Sequence, residues 1–294
     1  MDRRAVAGAL ADGGLVIRCG PFTTRIMSDL GELAEPIRLL YADFPLVDDA
    51  LIDFHVSVRR CSGVYRRLRR HIVFLLDDEP ALTPKVRRLA LPLLEWGANW
   101  CIYRHAHQYL IVHAAVVEKK GVACLLPGTS GAGKSTLCAA LVSRGWRLLS
   151  DELALLRPDS AEVLPAARPI SLKNRSIALL RSFAPEQTFG PECSETPKGV
   201  VAHMRPPADS VARMDEPALP SRIIFPQWRQ DSAPELWPVS KGRAFYRVAD
   251  GSINYPTLGS DAFHQVANLV ERCECFDFRY SALDDAVATF DTFV

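Results

Sequence analysis

The stretch that most constrains this chain is "VACLLPGTSGAGKSTLCAALVSRG", residues 122–145. It reads as an apolar strand, a glycine-rich loop and a helix. The loop "GTSGAGKS", 128–135, fits the eight-position phosphate-loop pattern in full, with Gly128, Gly133, Lys134 and Ser135 at the required places. Gly128, Gly131 and Gly133 let the backbone close around phosphate oxygens. Amide N–H groups from Thr129, Ser130, Ala132 and the start of the helix, Ser135 and Thr136 included, then point at the anion. Lys134 brings a positive charge to the β/γ-phosphates, and Ser135 offers a hydroxyl to Mg²⁺. A fortuitous glycine-rich turn would not need a strand before it and a helix after it. The expectation is therefore an α/β chain that binds ATP with Mg²⁺.

Asp151 and Glu152 follow one helix and one strand later, in "WRLLSDELALL". If strand 122–127, helix 134–144 and strand 146–150 form a βαβ unit, both strands run in one direction. Their carboxyl ends then share one sheet edge, where ligands of such sheets bind. Asp151 would face the γ-phosphate, one carboxylate holding Mg²⁺ and the other accepting a hydroxyl proton. The competing reading is a solvated turn. His113 lies in "YLIVHAAVV", on the strand before the loop strand. It reads either as a core histidine or as a neighbour of the acids, and position alone leaves both open.

Elsewhere the pattern is coarser. Residues 14–80 look β-rich, with "LVIRCG", "FHVSVRRC" and "HIVFLL" as strands and "GELAEPIRLLYAD" as a short helix. Thr83-Pro84 reads as a cap and first helical residue of a helix reaching Tyr103, carrying Val86, Leu89, Leu93, Trp96 and Trp100 at helical spacing. Pro92 should kink it. Residues 185–220 show little periodicity and read as a mobile loop or excursion. "SRIIFPQWR" is a late strand, "SDAFHQVANLVERC" a helix with a good cap, and "FDFRY" and "SALDDAVATFDTF" a closing strand and helix. This divides the chain into a β-rich unit over 1–82 and a P-loop unit over 83–294.

Charge excludes some classes. Thirty-five Lys and Arg against 34 Asp and Glu argue against a general nucleic-acid binder. The densest basic run, Arg59, Arg60, Arg66, Arg67, Arg69 and Arg70, reads as a solvated face or as a docking surface for an acidic peptide. No interleaved aromatic-and-basic pattern of the kind that stacks nucleic-acid bases accompanies it. No apolar run of about 18 residues suggests a membrane span. No signal-peptide pattern opens the chain, and its eight cysteines form no CxxC pair, which points to reduced thiols in a cytoplasm. Cys273 and Cys275 read as one face of a strand.

Residues 112–156 resemble the core of HPr kinase/phosphorylase. His113, Thr129-Ser130-Gly131, Gly133-Lys134-Ser135, Arg144-Gly145 and Asp151-Glu152 fall on that family's motif positions. The resemblance implies a phosphoenolpyruvate-carboxykinase-like P-loop fold. It makes Asp151 the general base towards a serine hydroxyl and His113 its support, with Ser135 and Glu152 serving Mg²⁺. It also implies a homo-oligomer.

Two departures matter. The family's second acid is usually Asp, where this chain has Glu152. The family's later Ile-Arg-Gly-Leu-Gly signature is replaced by "RPISLKNRS" (168–176) and "ETPKGVVAHMRPP" (195–207). This combination resembles the HPr-kinase-related kinases (HPr-rel-A type) associated with modified-peptide systems. It argues against HPr itself as substrate and against the reverse phosphorylase reaction. Arg168 and Lys173 are candidates to reach phosphates, and Lys198-Gly199 to close over the transferred group. Three functions stay open: a kinase for a Ser/Thr hydroxyl of a peptide or small protein, a small-molecule kinase, and a regulatory nucleotide-binding module without transfer.

Overall fold

A computed structural model describes residues 1–47, 51–61, 71–129 and 131–294. Ser130 and Arg66, Arg67, Arg69 and Arg70 lie outside the described residues. The first part holds α1 (Arg3–Ala11), β1 (Leu15–Cys19), β2 (Phe22–Ser28), α2 (Ala34–Leu40), β3 (Phe54–Arg60), β4 (His71–Leu76), β5 (Glu79–Pro80) and β6 (Lys85–Val86). The long helix α3 (Ala90–His105) follows. Next come β7 (Leu110–Val112), β8 (Ala114–Lys119), β9 (Val122–Pro127), α4 (Lys134–Ser143), β10 (Arg147–Ser150), β11 (Ala154–Leu156), β12 (Val163–Leu164), β13 (Ile170–Lys173) and α5 (Arg175–Phe183). The chain closes with β14 (Cys193–Thr196), β15 (Gly199–Met204), α6 (Ala208–Ala212), β16 (Pro220–Trp228), β17 (Glu235–Pro238), α7 (Lys241–Asp250), α8 (Tyr255–Leu258), α9 (Ser260–Arg272), β18 (Glu274–Tyr280) and α10 (Leu283–Asp291). The chain is mixed α/β, as its alternating apolar runs predict.

The largest sheet of the second part has the order β10-β8-β9-β16-β18-β17. The middle stretches of its central strands, such as Ala114–Val117, Ala123–Leu126 and Ile223–Phe225, are apolar at successive positions because both faces are covered. Ala115, Val117, Cys124, Leu126, Leu148 and Ile224 join α4 and α10 on one side. Their odd-and-even partners Ala114, Val116, Leu125, Leu149 and Ile223 join α7 and α9 on the other. One residue of slip would exchange the two faces. Strands β9, β16 and β18 are parallel to one another. β8 is antiparallel to both β9 and β10.

The expected βαβ unit therefore needs a correction. β9 and β10 do run in one direction, but β8 is inserted between them. The hairpin through Lys120 and Gly121 folds β8 back before the loop strand, so it takes the place beside β9. The consequence expected for the acids survives, because the carboxyl ends of β9 and β10 still share one edge.

β1–β6 form a separate sheet on which α3 packs. Gly97 of α3 sits where any Cβ would run into the Phe74 ring, so the helix approaches β4 closely. The helix is shorter than its apolar spacing predicts. Residues 85–86 pair with β4, and a 3-10 turn spans Arg87–Leu89. Pro92 thus falls in the first helical turn, where a missing N–H costs nothing, and no kink is required. The opening helix α1, capped by the Asp2 carboxylate on the Ala5 amide, was not expected from the sequence.

Residues 185–220 are likewise built structure rather than an excursion. β14 and β15 form a hairpin, and β15 pairs with β13. β14 is buried only at its two ends and β15 at four successive residues, so neither leaves an alternating period in the sequence. The expected N-cap Ser260 is the first residue of α9, and Gly259 occupies the cap.

Candidate active site

The glycine-rich loop joins β9 to α4. Gly133 caps α4 with φ 91°, a left-handed backbone that a side chain resists. A Cβ there would also run into the Tyr280 hydroxyl. That hydroxyl donates to the Gly133 carbonyl at 2.9 Å, and the Trp228 amide donates to the Ala132 carbonyl at 3.1 Å. The last residues of β18 and β16 therefore hold the loop from below. Lys134 is buried, and its ammonium donates to the carbonyls of His113 and Gly128, both at 3.4 Å. Burial pushes its pKa down, while Asp151 and Glu152 pull it back. Ser135 and Thr136 open the helix and are half-buried.

Asp151 follows β10, on the far side of β8 from the loop strand, and is 7% exposed. Its Oδ2 accepts from the Ser171 amide at 3.1 Å. Its Oδ1 is buried with no hydrogen-bond partner. Burial first and the Glu152 charge second push its pKa up to about 6, against Lys134, the Ser171 amide and the Ser135 side chain. Glu152 is held from another direction, by Asn99 Nδ2 donating to its Oε2 at 2.6 Å. The pair is therefore not a solvated turn.

His113 sits at the junction of β7 and β8 rather than within a strand, its amide donating to the Gly251 carbonyl at 2.8 Å. Burial, then the Lys134 charge, push its imidazole down to about 4, with Glu152 opposing. Lys173 and Lys198 also act on it electrostatically, so both reach the same region. Lys198 lies in the β14–β15 turn, fastened by Asn174 Nδ2 donating to its carbonyl at 3.1 Å and by the Thr196 hydroxyl accepting from its amide at 3.0 Å. Burial and Lys198 push the Lys173 ammonium down.

Arg168 is committed elsewhere. Its Nη2 pairs with Glu95 Oε2 at 2.6 Å and its Nη1 donates to Asn99 Oδ1. It stands behind the acids, beside a cavity of about 30 Å³ bounded by Asp151, Ser171 and His203. That volume takes a water or two, not a substrate. Of the basic run, Arg59 and Arg60 are described, and both form loose pairs, with Asp78 at 3.9 Å and Asp29 at 4.0 Å.

Sequence reasoning missed Asn99, Ser171, Trp228 and Tyr280. One signal was present: Glu95 and Asn99 interrupt the apolar run of α3 four residues apart, which places them on one helix face. The other three carry no local mark, because they meet the loop through the sheet.

The residues at the edge fit a magnesium ion shared with a nucleotide. The unpartnered Asp151 Oδ1, the Glu152 carboxylate and the Ser135 hydroxyl are hard oxygen donors. Among the described residues no group of three or more His, Cys, Asp or Glu could hold a metal by itself. A divalent ion here would complete its shell with phosphate and water oxygens. Among them, too, no helix is long and apolar enough to cross a membrane.

Known proteins show likenesses to parts of the chain. Residues 88–177 match the family described as SynChlorMet cassette protein ScmC. The HPr kinase/phosphorylase of Geobacillus sp. (strain WCH70) is 40% identical over 58 residues, 20% of this chain and 19% of that protein. That of Caldanaerobacter subterraneus subsp. tengcongensis is 29% identical over 116 residues, 38% of this chain and 35% of that protein. The chain thus spans about a fifth to a third of the length of these curated relatives. At this identity and coverage, the likenesses support kinship with the HPr kinase/phosphorylase family.

Proposed function

We propose that this protein is an ATP- and Mg²⁺-dependent kinase that transfers the γ-phosphoryl group to a serine or threonine hydroxyl of a peptide or small protein. The observation that carries the reading is Asp151: a buried carboxylate at the phosphate-loop edge with one oxygen left unpaired. A module that only binds nucleotide has no use for a buried, unsatisfied base beside the γ-phosphate.

The loop amides and Lys134 hold the β- and γ-phosphates, Lys134 exchanging its two long carbonyl bonds for phosphate oxygens. Ser135, Glu152 and Asp151 are the residues that would hold Mg²⁺, which would neutralise charge on those oxygens. Asp151 Oδ1 takes the proton of the acceptor hydroxyl. The acceptor oxygen forms a bond to the γ-phosphorus as the β–γ bridge breaks and ADP leaves. His113, neutral at pH 7, orients by hydrogen bonding without adding charge. Lys173 and Lys198 offset the charge on the moving phosphoryl group.

In this reading the sheet β10-β8-β9-β16-β18-β17 is the core of a phosphoenolpyruvate-carboxykinase-like P-loop fold. Residues 83–294 are the catalytic unit, 1–82 the smaller β-rich one, and the chain works in the cytoplasm as a homo-oligomer. The likeness to HPr kinase/phosphorylases supports the chemistry, and the HPr-kinase-related group supports a peptide acceptor. The test uses γ-labelled ATP, peptides encoded beside this gene, and the Asp151→Asn variant. Label should pass to a peptide Ser or Thr with wild type and not with the variant, while both bind nucleotide. Transfer at the wild-type rate by the variant would remove Asp151 as the base. Label on a metabolite instead would make the acceptor a small molecule.

A further inference from the structure

A chain of hydrogen bonds runs from the first part of the molecule to the acidic pair. The Tyr41 hydroxyl, just beyond α2, donates to Glu95 Oε1 at 2.7 Å. Arg168 Nη2 donates to Glu95 Oε2 at 2.6 Å, and its Nη1 donates to Asn99 Oδ1. Asn99 Nδ2 donates to Glu152 Oε2 at 2.6 Å. Tyr41 and Glu95 are buried.

Each link has one polarity. Arginine has donors only, so the atom of Asn99 facing it must be the carbonyl oxygen. The amide nitrogen is then turned to Glu152, which accepts as a carboxylate. Flipping the amide would set donor against donor on one side and acceptor against acceptor on the other. Glu95 in turn neutralises Arg168, whose isolated charge behind the site would be costly to bury.

We propose that Asn99 is a positioning residue that sets the Glu152 carboxylate for the nucleotide's divalent ion, with Arg168 and Glu95 fixing the orientation of Asn99. This rests on the function proposed above. Groups that hold a metal ligand in place typically change metal affinity about 10- to 100-fold when lost. Tyr41 extends the chain into the layer of α1, α2 and β1–β6, so that layer helps to set the acid.

The test is a Mn²⁺ titration of the full chain with a non-hydrolysable ATP analogue, following free Mn²⁺ by its paramagnetic resonance signal. Asn99→Ala should weaken Mn²⁺ binding about 10-fold or more and leave affinity for the metal-free analogue unchanged. In a Glu152→Gln background the same substitution should add nothing. Asn99→Gln keeps a partner for Arg168 but displaces the amide, and should shift Mn²⁺ binding in the same direction if Asn99→Ala does not fold. Unchanged Mn²⁺ affinity, or an equal loss in the Glu152→Gln background, would overturn the positioning role alone. A wild-type chain that binds the analogue neither with nor without Mn²⁺ would overturn the kinase reading as well.

Discussion

The Ser171 amide donates to one oxygen of Asp151 at 3.1 Å and leaves the other without a partner. β13 thus supports Asp151 on one side only. A carboxylate held in this half-satisfied, buried state destabilises the fold while it is ionised.

Asp151→Asn should therefore stabilise the protein as it abolishes transfer. A carboxyl raised from 3.8 to about 6 costs about 3 kcal/mol at pH 7. The amide recovers part of that, on the order of 1 kcal/mol or more. A urea titration at pH 7 should show a higher midpoint for the variant at an unchanged slope. A midpoint below that of wild type would contradict the assignment.

The pH dependence of stability contains two opposed contributions. Between about 6 and the unfolded value of 3.8, the folded state holds a proton on Asp151 that the unfolded chain lacks, so stability rises as pH falls. Between 6.5 and about 4, the unfolded chain protonates His113 and the folded one does not, so stability falls with pH. Unfolding of single variants at pH 7 and pH 5 separates them. Asp151→Asn should lose more stability on acidification than wild type, and His113→Asn less.

Activity should follow Asp151 ionisation. The rate of transfer at low substrate reports the enzyme before nucleotide and cation bind, so it should fall on the acid side with a midpoint of about 6. A pH–rate profile on wild type checks this. A flat profile from pH 5 to 8 would exclude a base of this kind.

Gly133→Ala should remove nucleotide binding. The substitution meets both a left-handed φ of 91° and the Tyr280 hydroxyl, a strain of about 1–3 kcal/mol at the backbone alone. Tyr280→Phe is milder. It removes one of the two hydrogen bonds on the Gly133 carbonyl, which keeps the Leu137 amide at 2.9 Å, and should weaken nucleotide binding by about 1 kcal/mol or less. Calorimetric titration with ADP measures both.

Lys198→Ala should lower the transfer rate about 10- to 100-fold with ADP affinity little changed, because its charge matters most as the phosphoryl group moves. Steady-state kinetics alongside ADP titration separate the two effects. Equal losses in both would make Lys198 a nucleotide-binding residue instead.

Legibility followed the range of the interactions. The strand, loop and helix at 122–145 are local: a short apolar run, glycines at set spacing and a capped helix, each decided by neighbours a few residues away. The boundaries of α3 were not, because residues 85–86 give up helical structure to pair with β4. Nor was the β14–β15 hairpin, whose order depends on Asn174 reaching across to Lys198 and Val200.

A glycine-rich loop before a helix and two acids at the end of the next strand can be read from the order of residues alone. How those acids are held emerges only on folding. Asn99 reaches Glu152 from 53 residues away and Arg168 reaches Asn99 across 69. Backbone preference and apolar period act along the chain and leave their mark in its order. Hydrogen bonds between distant side chains depend on which elements pack together, and that is settled only when the sheet and α3 close around the acids.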